Sequence, residues 1–430
     1  MTDRERLDAD IRGRVREMVE LQRALTAVPA LAPESGGTGE LEKCKVLESF
    51  LRRWGIDTLE RIDSPDPRVP SGSRPNLIAT VPGRDDTSRV WVMTHLDVVP
   101  AGELSKWTSD PWTVVERDGR LYGRGVEDNQ QGLVSSIFAA RAFVETGIVP
   151  ARTIKLLFVA DEEVGSAHGI RYLLSARDLF RKEDLILVPD GGDAEGGMIE
   201  VAEKNLLWLR FHTRGVQAHG SRPDQGVNAH LAACDLALRI NALEAAYDRR
   251  DPLFDPDRST FQPTKKEANV PNVNTIPGDD VFCVDCRILP AYPLERVRAD
   301  VARIARAVEA ERGVTIEWTE EQAAESPATP ADARVVGVLS RAVRSVYGVE
   351  PRPIGIGGGT VCASLRKAGF DAVVWSRMDE TAHQGDEYCV LENLVGDARV
   401  MALVMLGGAD AERRLRGLAR SQSLGRPRGV

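Results

Sequence analysis

Apolar positions recur at helical spacing at the start of the chain, where Leu7, Ile11, Val15, Met18 and Leu25 line up and predict a helix. A second helix is expected from Glu40, with Leu41, Cys44, Leu47, Leu51 and Trp54 on its apolar side and Gly55 as its C-terminal cap. The Pro, Ser and Gly content of residues 64–75 marks a loop. From residue 76 to about 188 the period changes. Short continuous runs of Val, Ile and Leu (90–94, 154–159, 185–188) alternate with helical patterns at 131–144 and 169–174. Such runs suit strands covered on both faces, so this part predicts an α/β layer with a mixed sheet flanked by helices.

Near Lys204 the character shifts. Residues 206–213 alternate as a strand and 228–243 form an amphipathic helix. Two further strands, 272–276 and 281–289, are separated by the turn Pro277-Gly278-Asp279-Asp280. A helix over 294–308 and a strand over 314–318 complete the order βαββαβ, the ferredoxin-like pattern. Residues 204–326 are therefore expected to form an inserted domain, with 1–203 and 327–430 making up a larger, discontinuous one. A chain of 430 residues also exceeds what one hydrophobic core usually organises. The tail from about Arg413 is basic, rich in Gly, Arg and Ser, and expected to be mobile.

Composition narrows the class. With 42% hydrophobic and 28% charged residues, the chain fits a globular protein in water, and its net charge of -9 argues against nucleic acid as a partner. No run approaches the roughly 20 apolar residues that cross a bilayer, so no membrane partner is expected. Residues 1–10 are charged and lack the apolar centre of a secretion signal, which points to the cytoplasm. The 6 cysteines are scattered and read as free thiols of a reducing compartment. Cys283 and Cys286 stand three apart on a predicted strand, hence on opposite faces, and make no redox or zinc pair.

Chemistry gathers at the strand ends. Ala160-Asp161-Glu162-Glu163-Val164-Gly165 leaves the run 154–159, His95 and Asp97 end the run 90–94, and Asp190 follows 185–188. Asp128 precedes a helix starting near Asn129, and His383 lies in Glu380-Thr381-Ala382-His383-Gln384. Strand ends are where α/β proteins build sites. Singly, each residue has a plain role: Asp128 as an N-cap, Glu162-Glu163 as a surface pair, Asp190 as part of a turn. Together they supply what a pair of divalent cations needs. That is nitrogen and oxygen ligands, a carboxylate able to span two ions, and a free carboxylate to take a proton from water. Asp97 is spaced to take the second N–H of His95 and fix its tautomer. His168, His212 and His230 read as structural, at a helix entry, on a polar strand face and in a first helical turn. Gly355-Ile356-Gly357-Gly358-Gly359-Thr360 is not a dinucleotide fingerprint, because Thr360 stands where the last glycine is required.

Four motifs together resemble the aminoacylase, succinyl-diaminopimelate desuccinylase, acetylornithine deacetylase and glutamate carboxypeptidase family of zinc metallohydrolases, over nearly the whole chain to about Val404. They are Thr94-His95-Leu96-Asp97-Val98-Val99-Pro100, Tyr122-Gly123-Arg124-Gly125 through Asp128, Asp161-Glu162-Glu163-Val164-Gly165, and Glu380-Thr381-Ala382-His383. The resemblance implies two Zn2+ per subunit, with Co2+ or Mn2+ as substitutes. Asp128 bridges them, His95 and Asp190 complete one shell, and Glu163 and His383 complete the other. Asp97 orients His95, Glu162 is the general base, and a cis peptide is implied at Asp128-Asn129. Gln217-Ala218-His219-Gly220-Ser221-Arg222-Pro223 is similar to the family's histidine motif. It implies that His219 stabilises the oxyanion across a homodimer formed through the inserted domain, which acts as a lid. By the same resemblance Arg287, and with it Asn274, grips the substrate's carboxylate, and Gly358, Gly359 and Thr360 contact that end. The implied activity is hydrolysis of the amide bond of a small N-acyl amino acid. A dipeptidase or carboxypeptidase of the same family is the neighbouring reading. A catalytically inactive scaffold is the distant one, which the complete ligand set and Glu162 disfavour. Asp190 stands where desuccinylases usually carry glutamate, and the glycine loop also differs from theirs; aspartate there is more typical of aminoacylases, dipeptidases and carboxypeptidases.

Overall fold

A computed structural model describes residues 1–407, so the basic tail from Arg413 lies outside the described residues. The chain divides into two compact units. One comprises Met1–Val201, Thr329–Pro353 and the chain from Ser364; the other comprises Ala202–Ala328 and Ile354–Ala363. The glycine loop, expected with the larger part, thus clusters with the smaller unit.

In the larger unit an eight-stranded mixed sheet runs in the order Thr58–Pro65, Ser73–Val81, Arg152–Val159, Asp85–His95, Leu185–Asp193, Ala372–Arg377, Met198–Glu203, Arg352–Ile356. The last two strands run across the boundary at which the chain passes to the second unit. Asp85–His95 pairs in parallel with both Arg152–Val159 and Leu185–Asp193, so three apolar strands end at the same edge. The helix Gln130–Thr146 is buried continuously from Gln130 to Phe143, because its apolar residues surround it rather than forming a stripe. Gly132 permits its first turn to lie against the strand that carries Asp190: a Cβ there would stand 2.3 Å from the Pro189 carbonyl oxygen. Among the described residues no helix is long and apolar enough to cross a membrane.

In the smaller unit a four-stranded antiparallel sheet has the order Thr260–Lys266, Asp279–Ile288, Asn205–Arg214, Thr315–Ala324, accompanied by the helices Ala229–Asn241 and Leu294–Arg312. Alternate residues of Asp279–Ile288 point inward, and Phe282 stacks on Phe211 at 5.1 Å between ring centres.

Three expectations change. The opening helix is two, Asp3–Gly13 and Val15–Thr26, broken after Gly13, a poor helix former. The loop expected over 64–75 is narrower, since Thr58–Pro65 and Ser73–Val81 pair across it. The second strand of the smaller sheet is Thr260–Lys266, not 272–276, of which only Thr275–Ile276 pairs, with Ala218–His219. Thr260–Lys266 escaped notice because it is an edge strand with one buried residue, Phe261, and a register shift after Pro263.

Candidate metal centre

The strand ends deliver the expected residues to one place. His95 closes Asp85–His95; its Nδ1 donates to the Asp97 carbonyl oxygen at 3.0 Å and lies 3.5 Å from the Asp97 carboxylate. That leaves Nε2, 2.9 Å from Asp128 Oδ1 and 3.6 Å from Asp190 Oδ1. The other oxygen of Asp128 lies 3.1 Å from His383 Nε2, which is also 3.0 Å from Glu163 Oε2. Asp128 therefore stands between two imidazoles, as a bridging carboxylate must. Two groups have ligand atoms within 4.8 Å of one another: His95, Glu162 and Asp190, and His95, Asp128 and Glu163. The Asp97 carboxylate accepts from the backbone N–H groups of Glu162 and Glu163 at 3.1 and 3.0 Å, so one aspartate steadies both the imidazole and the acidic pair. The Asp128-Asn129 peptide is cis. The Asn129 side chain donates to the Pro189 carbonyl at 2.8 Å and to Asp190.

The electrostatics of this donor set follow from how many carboxylates it buries together. Burial pushes the Glu162 carboxyl well above the usual range, and neighbouring Asp190 adds to it. Burial likewise raises Glu163 and Asp190, with Asp128 adding to both. Burial opposes charge on His95, yet Asp190, Asp128 and Asp97 together hold its pKa well above the ordinary imidazole value. Hydrogen bonds to Asp128 and Glu163 raise His383 to about 10. Crowded carboxylates thus favour positive charge among them. Imidazole nitrogen with carboxylate oxygen is a donor set that fits zinc and its neighbours.

Further residues hold the loops, and the sequence reading did not name them. Glu387 is fully buried and accepts from the N–H groups of Gly125, Glu127 and Asp128 at 3.0, 3.0 and 3.1 Å and from Arg124 Nη1 at 2.6 Å. Glu127 in turn accepts from the backbone of Asp379 at 2.9 Å and from Thr381, which fixes the loop carrying His383. Beneath them lies a buried ion network: Glu40 pairs with Arg74, whose Nη1 is 3.3 Å from Asp161. Lys43 is buried too; burial pulls its ammonium down to about 8 against the attraction of Asp97, Glu40 and Glu387. The available signal was an acidic or basic residue inside an otherwise apolar helix or just before an apolar strand.

The remaining expected site residues belong to the smaller unit. His219 is exposed, its Nδ1 2.8 Å from Ser221 Oγ. The Asn274 carbonyl accepts from Gly220 N–H at 2.7 Å. Arg287 forks onto Asp285 at 2.7 and 3.0 Å and donates to the Gly357 carbonyl at 2.6 Å, tying its strand to the glycine loop. Thr360 Oγ1 donates to Glu203 at 2.6 Å, and Gly359 packs beside the same carboxylate.

The family model for peptidase family M20/M25/M40 matches residues 91–407, which contain every one of these groups except those of the first helices and Arg74. The chain belongs to that family. It is a metallohydrolase acting on amide bonds and dependent on divalent metal. It is 37% identical over 405 residues to an uncharacterized metallohydrolase of Methanococcus maripaludis, covering 89% of this chain and 97% of that protein. It is 30% identical over 373 residues to a succinyl-diaminopimelate desuccinylase of Cereibacter sphaeroides, covering 86% and 93%. Its fold is shared with the dipeptidase Dug1p of Saccharomyces cerevisiae, at a TM-score of 0.72 and 16% identity, covering 94% and 98%.

Proposed function

We propose that this metallohydrolase cleaves the amide bond of a small N-acyl amino acid bearing a free carboxylate, in the cytoplasm, with two zinc ions per subunit. Asp128, His95, Asp190, Glu163 and His383 would hold the ions, with Asp128 placed to serve both. When bound, the ions acidify a water and polarise the scissile carbonyl. Asp97 keeps the His95 ring in one tautomer and orientation. Glu162 takes the proton from the attacking water and returns it to the leaving nitrogen. Burial and the neighbouring Asp190 raise its carboxyl above the usual range, the direction that strengthens a base. His219 stabilises the developing oxyanion, supplied across a homodimer. Arg287, Asn274, Gly358, Gly359 and Thr360 receive the substrate's carboxylate, which Arg287 reaches by exchanging its hold on Asp285 for the substrate. The smaller unit, with its βαββαβ order, is read as the ferredoxin-like lid through which that dimer forms.

The observation that carries this reading is the convergence of five separate chain segments on Asp128 and Glu162. Dipeptide hydrolysis is the second reading: Asp190, at a position where desuccinylases usually carry glutamate, is shared by aminoacylases and dipeptidases. A panel of N-acetyl and N-succinyl amino acids beside dipeptides separates the two. Turnover confined to N-acyl substrates supports deacylation, and turnover confined to dipeptides overturns it. Chelation is expected to abolish both.

A further inference from the structure

The helix Ala229–Asn241 of the smaller unit carries His230 and Cys234 one turn apart, on the same face. Of the 6 cysteines only Cys234 is exposed; the others are buried or partly buried. Its sulfur lies 3.8 Å from His230 Nε2 and 4.0 Å from Nδ1. The Nδ1 of His230 lies 2.9 Å from Asp280, whose side chain is fully buried and also receives Lys266 and the Asn269 side chain. Asp280 accepts on every side, so Nδ1 donates to it and Nε2 is left facing the Cys234 thiol. A carboxylate behind an imidazole is the arrangement that fixes and strengthens a metal-binding histidine. None of these residues serves the centre described above.

We propose that His230 Nε2 and Cys234 Sγ form a second metal site, a two-donor clip for a borderline-soft divalent cation such as zinc, with Asp280 as the positioning residue. A tetrahedral zinc holding both donors sets sulfur and nitrogen about 3.6 Å apart, given bonds of roughly 2.3 Å to sulfur and 2.0–2.1 Å to nitrogen. The observed 3.8 Å is within reach of that spacing. The sulfur is nearly equidistant from both ring nitrogens, so it must turn about its Cα–Cβ bond to come into line with Nε2, and its exposure leaves that rotation open. Binding is balanced by loss of the thiol proton to solvent, one per ion. The ammonium of Lys266 is offset by Asp280, so the clip carries no net repulsion for a cation. A thiolate–imidazole pair selects zinc, cobalt or nickel over magnesium and calcium. Water or a small molecule completes the shell.

The test uses the reduced full chain, zinc-loaded at the carboxylate centre, titrated anaerobically with Co2+. The centre offers no sulfur donor, so a thiolate-to-cobalt charge-transfer band reports the clip alone. The band is expected in the wild type and absent in Cys234→Ser, with hydrolytic turnover unchanged in that variant. Asp280→Asn is expected to weaken cobalt binding about ten- to a hundredfold, and His230→Gln, which removes a ligand, to weaken it further. If Asp280→Asn fails to fold, His230→Gln, at a half-exposed side chain, decides. No band at saturating cobalt, a band surviving Cys234→Ser, or His230→Gln binding cobalt as the wild type does would each overturn the assignment.

Discussion

His95 and His230 are both imidazoles steadied through Nδ1 by a buried aspartate, yet they stand in opposite surroundings. The His95 ring is buried and faces Asp128 and Asp190, with Glu162 and Glu163 close by. The His230 side chain is about half exposed and has a single thiol beside it. An oriented imidazole is therefore not in itself a catalytic site. What gathers at its second nitrogen, and how far water is excluded, sets what it can do. Several carboxylates in a dry place require compensating cations and raise the pKa of a neighbouring base. One exposed thiol offers only a binding clip.

The comparison breaks first at Glu162. Glu162→Gln is expected to lower kcat about 10²–10⁴-fold while leaving the centre's metal content intact. Steady-state kinetics with elemental analysis checks it, and near-normal turnover would move the base elsewhere. Next is Glu387, which holds the loop behind Asp128. Glu387→Gln leaves Arg124 buried without its charge partner and is expected to cost about 3–5 kcal/mol of stability, read by urea unfolding. Asp97→Asn sharpens the contrast between the two histidines: it is expected to weaken metal binding at the centre about ten- to a hundredfold in chelator competition, whereas Cys234→Ser leaves that affinity alone.

The smallest effect belongs to charges without burial. Arg89 holds the exposed Asp86 carboxyl down at about 2, below its ordinary 3.8. A depressed carboxylate stabilises the fold fully above about pH 4 and loses that contribution as pH falls through 2. Because Asp86 faces water, the pair is worth less than about 0.5 kcal/mol. Asp86→Asn should therefore barely move an acid-unfolding curve between pH 5 and 2. A large shift would mean that exposure does not weaken charge pairs as this contrast requires.

The sequence made the strand ends legible because continuous apolar runs halt where His95, Glu162 and Asp190 begin. It did not reveal Glu387, Glu127 or Lys43, since a buried charge in a short segment looks like an exposed one until its partners are known. Thr260–Lys266 stayed hidden because an edge strand with one inward residue carries almost no period-two signal. The partner of His230 stayed hidden for the same reason: Asp280 lies fifty residues away in the chain, on another element.

The most direct test of the central claim is anomalous scattering at the zinc edge from crystals of the metal-loaded chain. Two peaks about 3.5–4 Å apart are expected, both touching Asp128, one with His95 and Asp190 and the other with Glu163 and His383. A single peak, or peaks away from Asp128, would contradict the account.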